Sequence, residues 1–410
     1  IASCLVGSEM CIRDSEMTFA NTRGGLKINL DAFDESDIIK ILFAENPAVV
    51  IQVEEKNMKL AHELLYENSI DYKVIGEPVA ERIMEIEKGE DDRLFFIDHL
   101  RDLWYKSSYL LDSRQSGAKA AGLRFSNYRK QPLKYKLPDG FTGRLADLGL
   151  RQYRPEKSGV RAAIIREKGT NGDREMAYSL YLAGFDVKDV HMTDLASGRE
   201  TLEDVNMIVF CGGFSNSDVL GSAKGWAGSF LYNPKAKAAL EKFYARKDTL
   251  SLGVCNGCQL MMELELIDRG SSNHPKMVLN DSHKFESNFV SVEIPENKSI
   301  MFGNLAGSRL GIWVAHGEGK FHIPSKEEGH GIALRYLYHT YPGNPNGSPE
   351  GIAGITSADG RHLAMMPHLE RAIFPWQCAY YPEERRNDEV TPWIKAFVNA
   401  KEWIIENRAD

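Results

Sequence analysis

The sequence is short of cysteine, of excess positive charge and of long apolar runs, and each shortage removes a class of protein. Six cysteines among 410 residues (Cys4, Cys11, Cys211, Cys255, Cys258 and Cys378) are too sparse for a disulfide framework. They fit a reducing compartment, the cytoplasm, in which an unusual cysteine serves chemistry. Lysine and arginine number 50 against 58 aspartates and glutamates, a net charge of −8, so the basic footprint of a nucleic-acid binder is missing. No stretch approaches the ~20 apolar residues that cross a bilayer, and nothing in the composition points to a membrane. Internal repeats and low-complexity tracts are also missing.

What is present is ordinary for a globular chain: 43% hydrophobic and 26% charged residues, at a length suited to about two or three domains. The chain opens at Ile1 without methionine. Residues 1–15, IASCLVGSEMCIRDS, have no basic n-region, and Glu9, Arg13 and Asp14 interrupt any apolar core, so they do not read as a signal peptide. They are expected to be a non-native leader of translated adaptor or assembly sequence.

Residues 16–87 read as a small α+β piece. Pro47–Val53 is rich in β-branched residues and reads as a strand. Met58–Tyr66 carries Leu60, Ala61, Leu64 and Leu65 at helical spacing, and Tyr72–Ile75 is a strand closing at Gly76. Residues 88–157, with Phe95, Phe96, Trp104 and Tyr105 and then a Gly/Pro/Lys-rich stretch around Gln131–Gly143, read as a helical segment and a linker.

From residue 158 to 410, short apolar strands alternate with helices. Strands are expected at Val160–Ile165, Val187–Met192, Asn206–Cys211 and Thr249–Val254. Helices are expected over Met176–Tyr181, Lys235–Arg246 and Gln259–Leu266. Further strand-like runs follow at Phe285–Ile294, Leu310–Ala315, Gly351–Thr356 and His362–Met366. A last helix opens at Thr391-Pro392, with Thr391 as N-cap. Such alternation predicts an α/β domain with a Rossmann-like (flavodoxin-like), mostly parallel sheet and helices on both faces.

The sharpest chemical signal is Gly253-Val254-Cys255-Asn256-Gly257-Cys258-Gln259, between a buried strand and a predicted helix. Gly-x-nucleophile-x-Gly at a strand-to-helix turn is a nucleophile elbow, tight enough that side chains two residues either side would collide. The elbow sets the Cys255 thiol at a helix N-terminus, which favours thiolate, and aims the Asn256 amide at a developing oxyanion. Competing readings of Cys255-x-x-Cys258 are a redox pair, half a zinc site or plain core. Zinc wants about four ligands, and no second Cys-x-x-Cys exists in the sequence.

A thiol nucleophile needs a base, and the base needs an orienting partner. Pro367-His368-Leu369-Glu370 supplies both, two residues apart after an apolar strand, on one side of an extended segment. Gly212 and Gly213, after another strand, allow close backbone approach to a ligand and offer a second oxyanion donor; a phosphate loop or an ordinary turn competes. The stretch lacks the Gly-Lys-Ser/Thr ending of a P-loop. His316-Gly-Glu-Gly-Lys320 is a second polar candidate for metal or a partner domain, with an ordinary strand-end loop as the alternative.

Together the elbow GVCNGCQ, the loop CGGFSNSDVLGSAKGWAGSFLYN, AHGEGK, NPNGSPEGIAGITS and MMPHLER resemble the phosphoribosylformylglycinamidine synthase family. More narrowly, they resemble the C-terminal class I glutaminase domain of its large single-chain form. The likeness runs from about Val160 to Trp403. Leu26–Ile86 more loosely resembles the end of the upstream synthetase part, related to aminoimidazole ribonucleotide synthetase.

The resemblance implies that Cys255 attacks the glutamine amide to give a thioester, that His368 shuttles protons and that Glu370 orients it. Gly212, Gly213, Asn256 and Gln259 make up the implied oxyanion-hole and glutamine-binding set. Ammonia would pass to a synthetase that amidates formylglycinamide ribonucleotide with ATP and Mg2+, at sites mostly outside this chain. The glutaminase half would need no cofactor and no metal. Two departures stand out: Leu369 where the family usually has proline, and Asn216-Ser217 in place of a commoner Tyr-Gly. The alternative function is a cysteine peptidase or chaperone of the related intracellular-peptidase family. Those share the elbow but generally lack a glutamate two residues after the histidine.

Overall fold

The computed structural model describes residues 2–4, 17–19, 23–44, 49–269, 274–324 and 330–407, with backbone only at 2–4 and 330. The chain divides into two compact units, residues 1–115 and 116–410.

In the first unit six strands form one sheet: β1 (Ala2–Cys4), β2 (Gly25–Asn29), β3 (Val50–Gln52), β4 (Lys73–Val79), β5 (Ile83–Lys88) and β6 (Asp91–Phe96). Their order is β3-β1-β4-β2-β5-β6, and β2 and β5 pair in parallel. Alternate residues Leu26, Ile28, Met84 and Ile86 face a small core with Ile38, Ile41 and Ile75. Within the stretch expected to be a leader, Ala2–Cys4 pairs with β3 and β4; residues 1 and 5–15 lie outside the described residues.

The 88–157 segment differs from its expectation. Asp91–Phe96 is a strand, Ile97–Gln115 a helix closing the first unit, and Gly117–Asn127 a helix opening the second. The Gly/Pro-rich run is no free linker. Phe141, Leu145 and Leu150 are buried in the second unit's core, and Lys136 bridges Arg309. Three apolar anchors outweigh the loop-like composition between them.

The second unit holds β7 (Arg161–Arg166), β8 (Asp186–His191), β9 (Met207–Phe210), β10 (Leu250–Val254), β11 (Lys276–Val278), β12 (Glu286–Glu293), β13 (Arg309–His316), β14 (Lys320–His322), β15 (His330–Tyr336), β16 (Ile352–Ser357) and β17 (His362–Met365). Nine of them form one sheet in the order β13-β12-β15-β16-β17-β10-β9-β7-β8, and β11 pairs separately with β14. From β17 to β8 all pairings are parallel; from β17 to β13 all are antiparallel. The predicted parallel array is thus one half of a longer mixed sheet. The strands β9 and β10 are buried at every residue, as continuous apolar runs in a covered parallel sheet should be.

Helices bury their apolar stripes in the same core: Met176 and Leu180 from Asp173–Leu182, and Ala236, Leu240 and Phe243 from Pro234–Ala245. Asn233 caps the latter, its Oδ1 accepting from the amides of Lys235 and Ala236 at 3.1 and 3.0 Å. Two helix starts differ from expectation. The helix after the elbow runs Asn256–Glu263, beginning three residues earlier. The last helix runs Ile394–Asn407, and the turn before it keeps the expected cap: the Thr391 Oγ1 accepts from the Trp393 amide at 3.4 Å, and the Ile394 amide donates to the Thr391 carbonyl at 3.3 Å, a tighter i→i+3 start.

Candidate active site

The C-terminal ends of three neighbouring parallel strands converge, the usual ligand edge of such a sheet. Gly212 follows β9, Cys255 follows β10 and His368 follows β17. The Cys255 amide donates to the Met365 carbonyl at 2.9 Å, which carries the β10–β17 pairing up to the elbow. Cys255 itself takes φ 53°, ψ −108°, a region costly for a side-chain-bearing residue. Its neighbours make the turn possible. A Cβ on Gly253 would stand 2.5 Å from the Gly257 carbonyl oxygen, and one on Gly257 would stand 2.0 Å from that of Phe210.

Across from the elbow, His368 Nδ1 and Glu370 Oε1 lie 2.6 Å apart, both residues buried. The His368 amide donates to the Trp313 carbonyl at 2.9 Å, fixing the loop to β13. Glu370 stands on a short 3-10 turn, Leu369–Arg371, rather than on the expected extended segment; the turn still returns its carboxylate to the imidazole. Leu369 is buried in the core, so the departure from proline is filled by packing. Burial alone would depress the His368 pKa, but Glu370 and Cys255 outweigh it and lift it to about 9. The imidazole Nε2 has no hydrogen-bond partner among the described residues, and the Cys255 thiol lies 3.4 Å from the Ala315 carbonyl oxygen.

Gly212 separates the two groups: a Cβ there would come 2.7 Å from His368 Cε1 and 3.3 Å from Cys255 Cβ. The Gly212 carbonyl accepts from the Asn171 amide at 2.9 Å. Because N–H and C=O of a trans peptide point oppositely, the Gly213 N–H is turned away from Asn171. The Asn256 amide, first in its helix, has no intrahelical acceptor.

The Asn256 and Gln259 side chains are spent on scaffolding. Asn256 Oδ1 accepts from the Ser215 amide at 3.0 Å, its Nδ2 donates to Gln259 Oε1 at 2.9 Å, and Gln259 Nε2 donates to the Glu318 carbonyl at 2.8 Å. The His316–Lys320 segment is therefore joined to the elbow helix and is not a separate site. Burial pushes the His316 pKa down to about 4, and both its ring nitrogens lack partners among the described residues.

Cys258 is wholly buried one turn along, its thiol pushed well above its ordinary pKa by burial. Among the described residues, Cys255 and Cys258 belong to no group of three possible metal ligands. The one such group, Glu85, Glu87 and Asp92, is in the first unit; Lys27 pairs with Glu85 at 3.2 Å and Glu87 at 2.5 Å, which fits an ion pair better than a cation site. Sequence reasoning missed Trp313, Ala315, Asn171 and Arg371. The first three contribute backbone groups that their side chains do not advertise.

A thiol on an elbow, facing an imidazole held by a carboxylate, is the arrangement of thiol-dependent acyl-transfer enzymes. Residues 159–404 match the family model of the CobB/CobQ-like glutamine amidotransferase domain, and the chain belongs to that family. It is 38% identical to the probable phosphoribosylformylglycinamidine synthase, chloroplastic/mitochondrial, of Arabidopsis thaliana, over 95% of this chain and 29% of that protein. To the phosphoribosylformylglycinamidine synthase of Homo sapiens it is 36% identical, over 95% of this chain and 31% of that protein. The chain thus spans about three tenths of the length of these relatives. Among solved structures, PurLQS from Thermotoga maritima aligns at 24% identity with a TM-score of 0.45, over 60% of this chain and 98% of that one.

Proposed function

We propose that this chain is the glutaminase part of a phosphoribosylformylglycinamidine synthase. Cys255, as thiolate, attacks the side-chain amide carbon of glutamine. The Gly213 and Asn256 amides, with Gly212 keeping the approach open, receive the oxyanion. His368, protonated, gives its Nε2 proton to the departing ammonia, and a thioester remains on Sγ. Water, deprotonated by the now neutral His368, attacks the thioester and releases glutamate. Glu370 holds Nδ1–H throughout and stabilises the imidazolium.

The observation that carries this reading is the 2.6 Å His368–Glu370 contact beside the strained Cys255 turn. The carboxylate favours a glutaminase over the related peptidases. Residues 158–410 would form the glutaminase domain and 16–87 the end of a synthetase domain, to which ammonia passes. ATP and Mg2+ would serve amidation of formylglycinamide ribonucleotide on parts of the longer enzyme. No helix among the described residues is long and apolar enough to cross a membrane. Cys211, Cys255, Cys258 and Cys378, the cysteines whose side chains are described, are free, in keeping with the cytoplasm; the Arabidopsis relative carries an organellar name.

The test is glutamine hydrolysis by the chain, with glutamate and ammonia measured together. Equal release, lost by about a thousandfold or more in Cys255→Ala, is expected. Turnover surviving in that variant, or peptide hydrolysis in place of glutamine hydrolysis, would overturn the reading.

A further inference from the structure

The loop Glu167–Gly172, between β7 and the helix Asp173–Leu182, contributes no group to the chemistry above, yet it holds both sides of the site. On one side it binds the oxyanion loop through three backbone hydrogen bonds: the Asn171 amide to the Gly212 carbonyl at 2.9 Å, the Phe214 amide to the Gly169 carbonyl at 2.8 Å and the Asn216 amide to the Lys168 carbonyl at 2.7 Å. The fit is close: a Cβ on Gly213 would lie 2.5 Å from the Gly169 carbonyl oxygen and 2.6 Å from Thr170 Cα.

On the other side the loop reaches the carboxylate of the triad. Arg371 Nη2 donates to Asn171 Oδ1 at 2.7 Å, and Arg371 Nε lies 3.7 Å from Glu370 Oε1. A Cβ on Gly172 would stand 3.3 Å from both Arg371 Nη2 and Glu370 Oε1, so the loop runs directly against the pair. Asn171 alone touches both sides, with its amide on Gly212 and its side chain on Arg371.

We propose that Asn171 and Arg371 are positioning residues, a bridge that fixes the Gly212–Gly213 peptide relative to Glu370 and His368. The inference rests on the catalytic reading above and deepens it. Without the bridge, Gly213 N–H and His368 Nε2 would each still exist, but the distance between oxyanion donor and general acid would be free to drift. Drift of about an ångström in such a constellation costs on the order of a hundredfold in rate. The guanidinium also stands 3.7 Å from Glu370 Oε1, beside an acid–base pair whose other titratable neighbours are Cys255, Cys211 and His316.

The experiment uses the full chain and two independent readouts: glutamine turnover against pH, and the rate at which iodoacetamide alkylates Cys255 at pH 7, read by peptide mass. Asn171→Ala is expected to lower kcat about tenfold or more with KM within about twofold, and to slow alkylation of Cys255 but not of Cys378. Asn171→Asp, which keeps the acceptor, should restore the alkylation rate. Arg371→Met removes a positive charge beside Glu370, so the imidazolium gains stability and the alkaline fall in turnover should move to higher pH.

Folded variants with wild-type kcat, alkylation rate and pH profile would overturn the bridge. Should Asn171→Ala melt early, Arg371→Lys decides: a lysine reaches one partner but not both, so wild-type kcat and alkylation in that variant would overturn it as well. If the wild type fails to hydrolyse glutamine while the alkylation differences persist, the glutaminase reading falls and the bridge stands.

Discussion

The strands β10 and β17 carry a hydroxyl or thiol next to a histidine at both ends, and only one end is built for chemistry. Near the N-terminal ends, Ser251 and His362 are register partners, with Oγ and Nδ1 2.9 Å apart. The Tyr244 hydroxyl donates to the same Oγ at 2.8 Å, and its ring lies 4.5 Å from the imidazole. At the other end Cys255 faces His368 and Glu370. Adjacent residue types are therefore similar, and two physical differences separate the two places. Ser251 stays on a regular strand, whereas Cys255 leaves it at a positive φ. A carboxylate bonds His368, whereas Arg361 acts on His362. As a result burial and Arg361 push the His362 pKa down to about 3, while Glu370 and Cys255 raise that of His368 to about 9. A nucleophile beside a base becomes reactive when a buried acid holds the base and a turn presents the nucleophile.

The comparison breaks most sharply at Glu370. Replacing it by Gln should lower kcat by roughly two to four orders of magnitude, as loss of the orienting acid does in related triads. The alkaline fall in turnover should also move to lower pH, since the charge that raises His368 is gone; an unmoved profile would remove Glu370 from the mechanism.

Next in size is the effect of pH on stability. His368, raised in the fold above its ordinary 6.5, contributes stability that is complete below pH 6.5 and lost as pH rises through about 9. His362, depressed in the fold, contributes stability present above pH 6.5 and lost as pH falls toward about 3. Thermal melts across pH should therefore sag on both sides, and His362→Gln should lessen the acid sag, which His316 shares, and leave the alkaline side unchanged.

Smaller still, Ser251→Ala should leave glutamine turnover unchanged and cost ~1 kcal/mol of stability for its buried hydrogen bonds, measured by denaturant titration. Loss of turnover there would make the two ends of the strands equivalent. The least effect belongs to Ser217, held at φ 56° between Asn216 at 52° and Asp218 at 50°. Glycine at 217 should raise stability by about 1 kcal/mol or less, the left-handed strain it relieves being partly offset by unfolded-chain entropy.

Much of the site was legible because its signals are local. Gly253, Cys255 and Gly257 declare a turn within five residues, and His368 and Glu370 declare a pair within three. The parallel strands were legible for the same reason, as unbroken apolar runs such as Met207–Phe210. Long-range terms were not. Asn171 and Arg371 are brought together from opposite ends of the domain, and neither belongs to a recognisable spacing. The left-handed stretch Asn216–Asp218 contains no glycine, so its own residue types did not mark it; only the departure from a commoner Tyr-Gly at Asn216-Ser217 pointed there. In the first unit β5 and β6 were missed because Ile-Met-Glu-Ile-Glu-Lys breaks its apolar run with charge and Asp-Asp-Arg-Leu-Phe-Phe sets three charged residues before three apolar ones, weaker patterns than a covered core strand. Asn256 was read through its backbone amide and Gln259 as part of the glutamine-binding set; that their side chains brace neighbouring loops was not legible, because this use depends on partners about 40 to 60 residues away.

The measurement that tests the central claim most directly is covalent labelling with an electrophilic glutamine analogue, followed by intact-mass spectrometry and peptide mapping. One adduct on the peptide of Cys255, suppressed by excess glutamine and lost in Cys255→Ala, is the predicted result. An adduct on Cys258, or labelling that glutamine does not suppress, would contradict it.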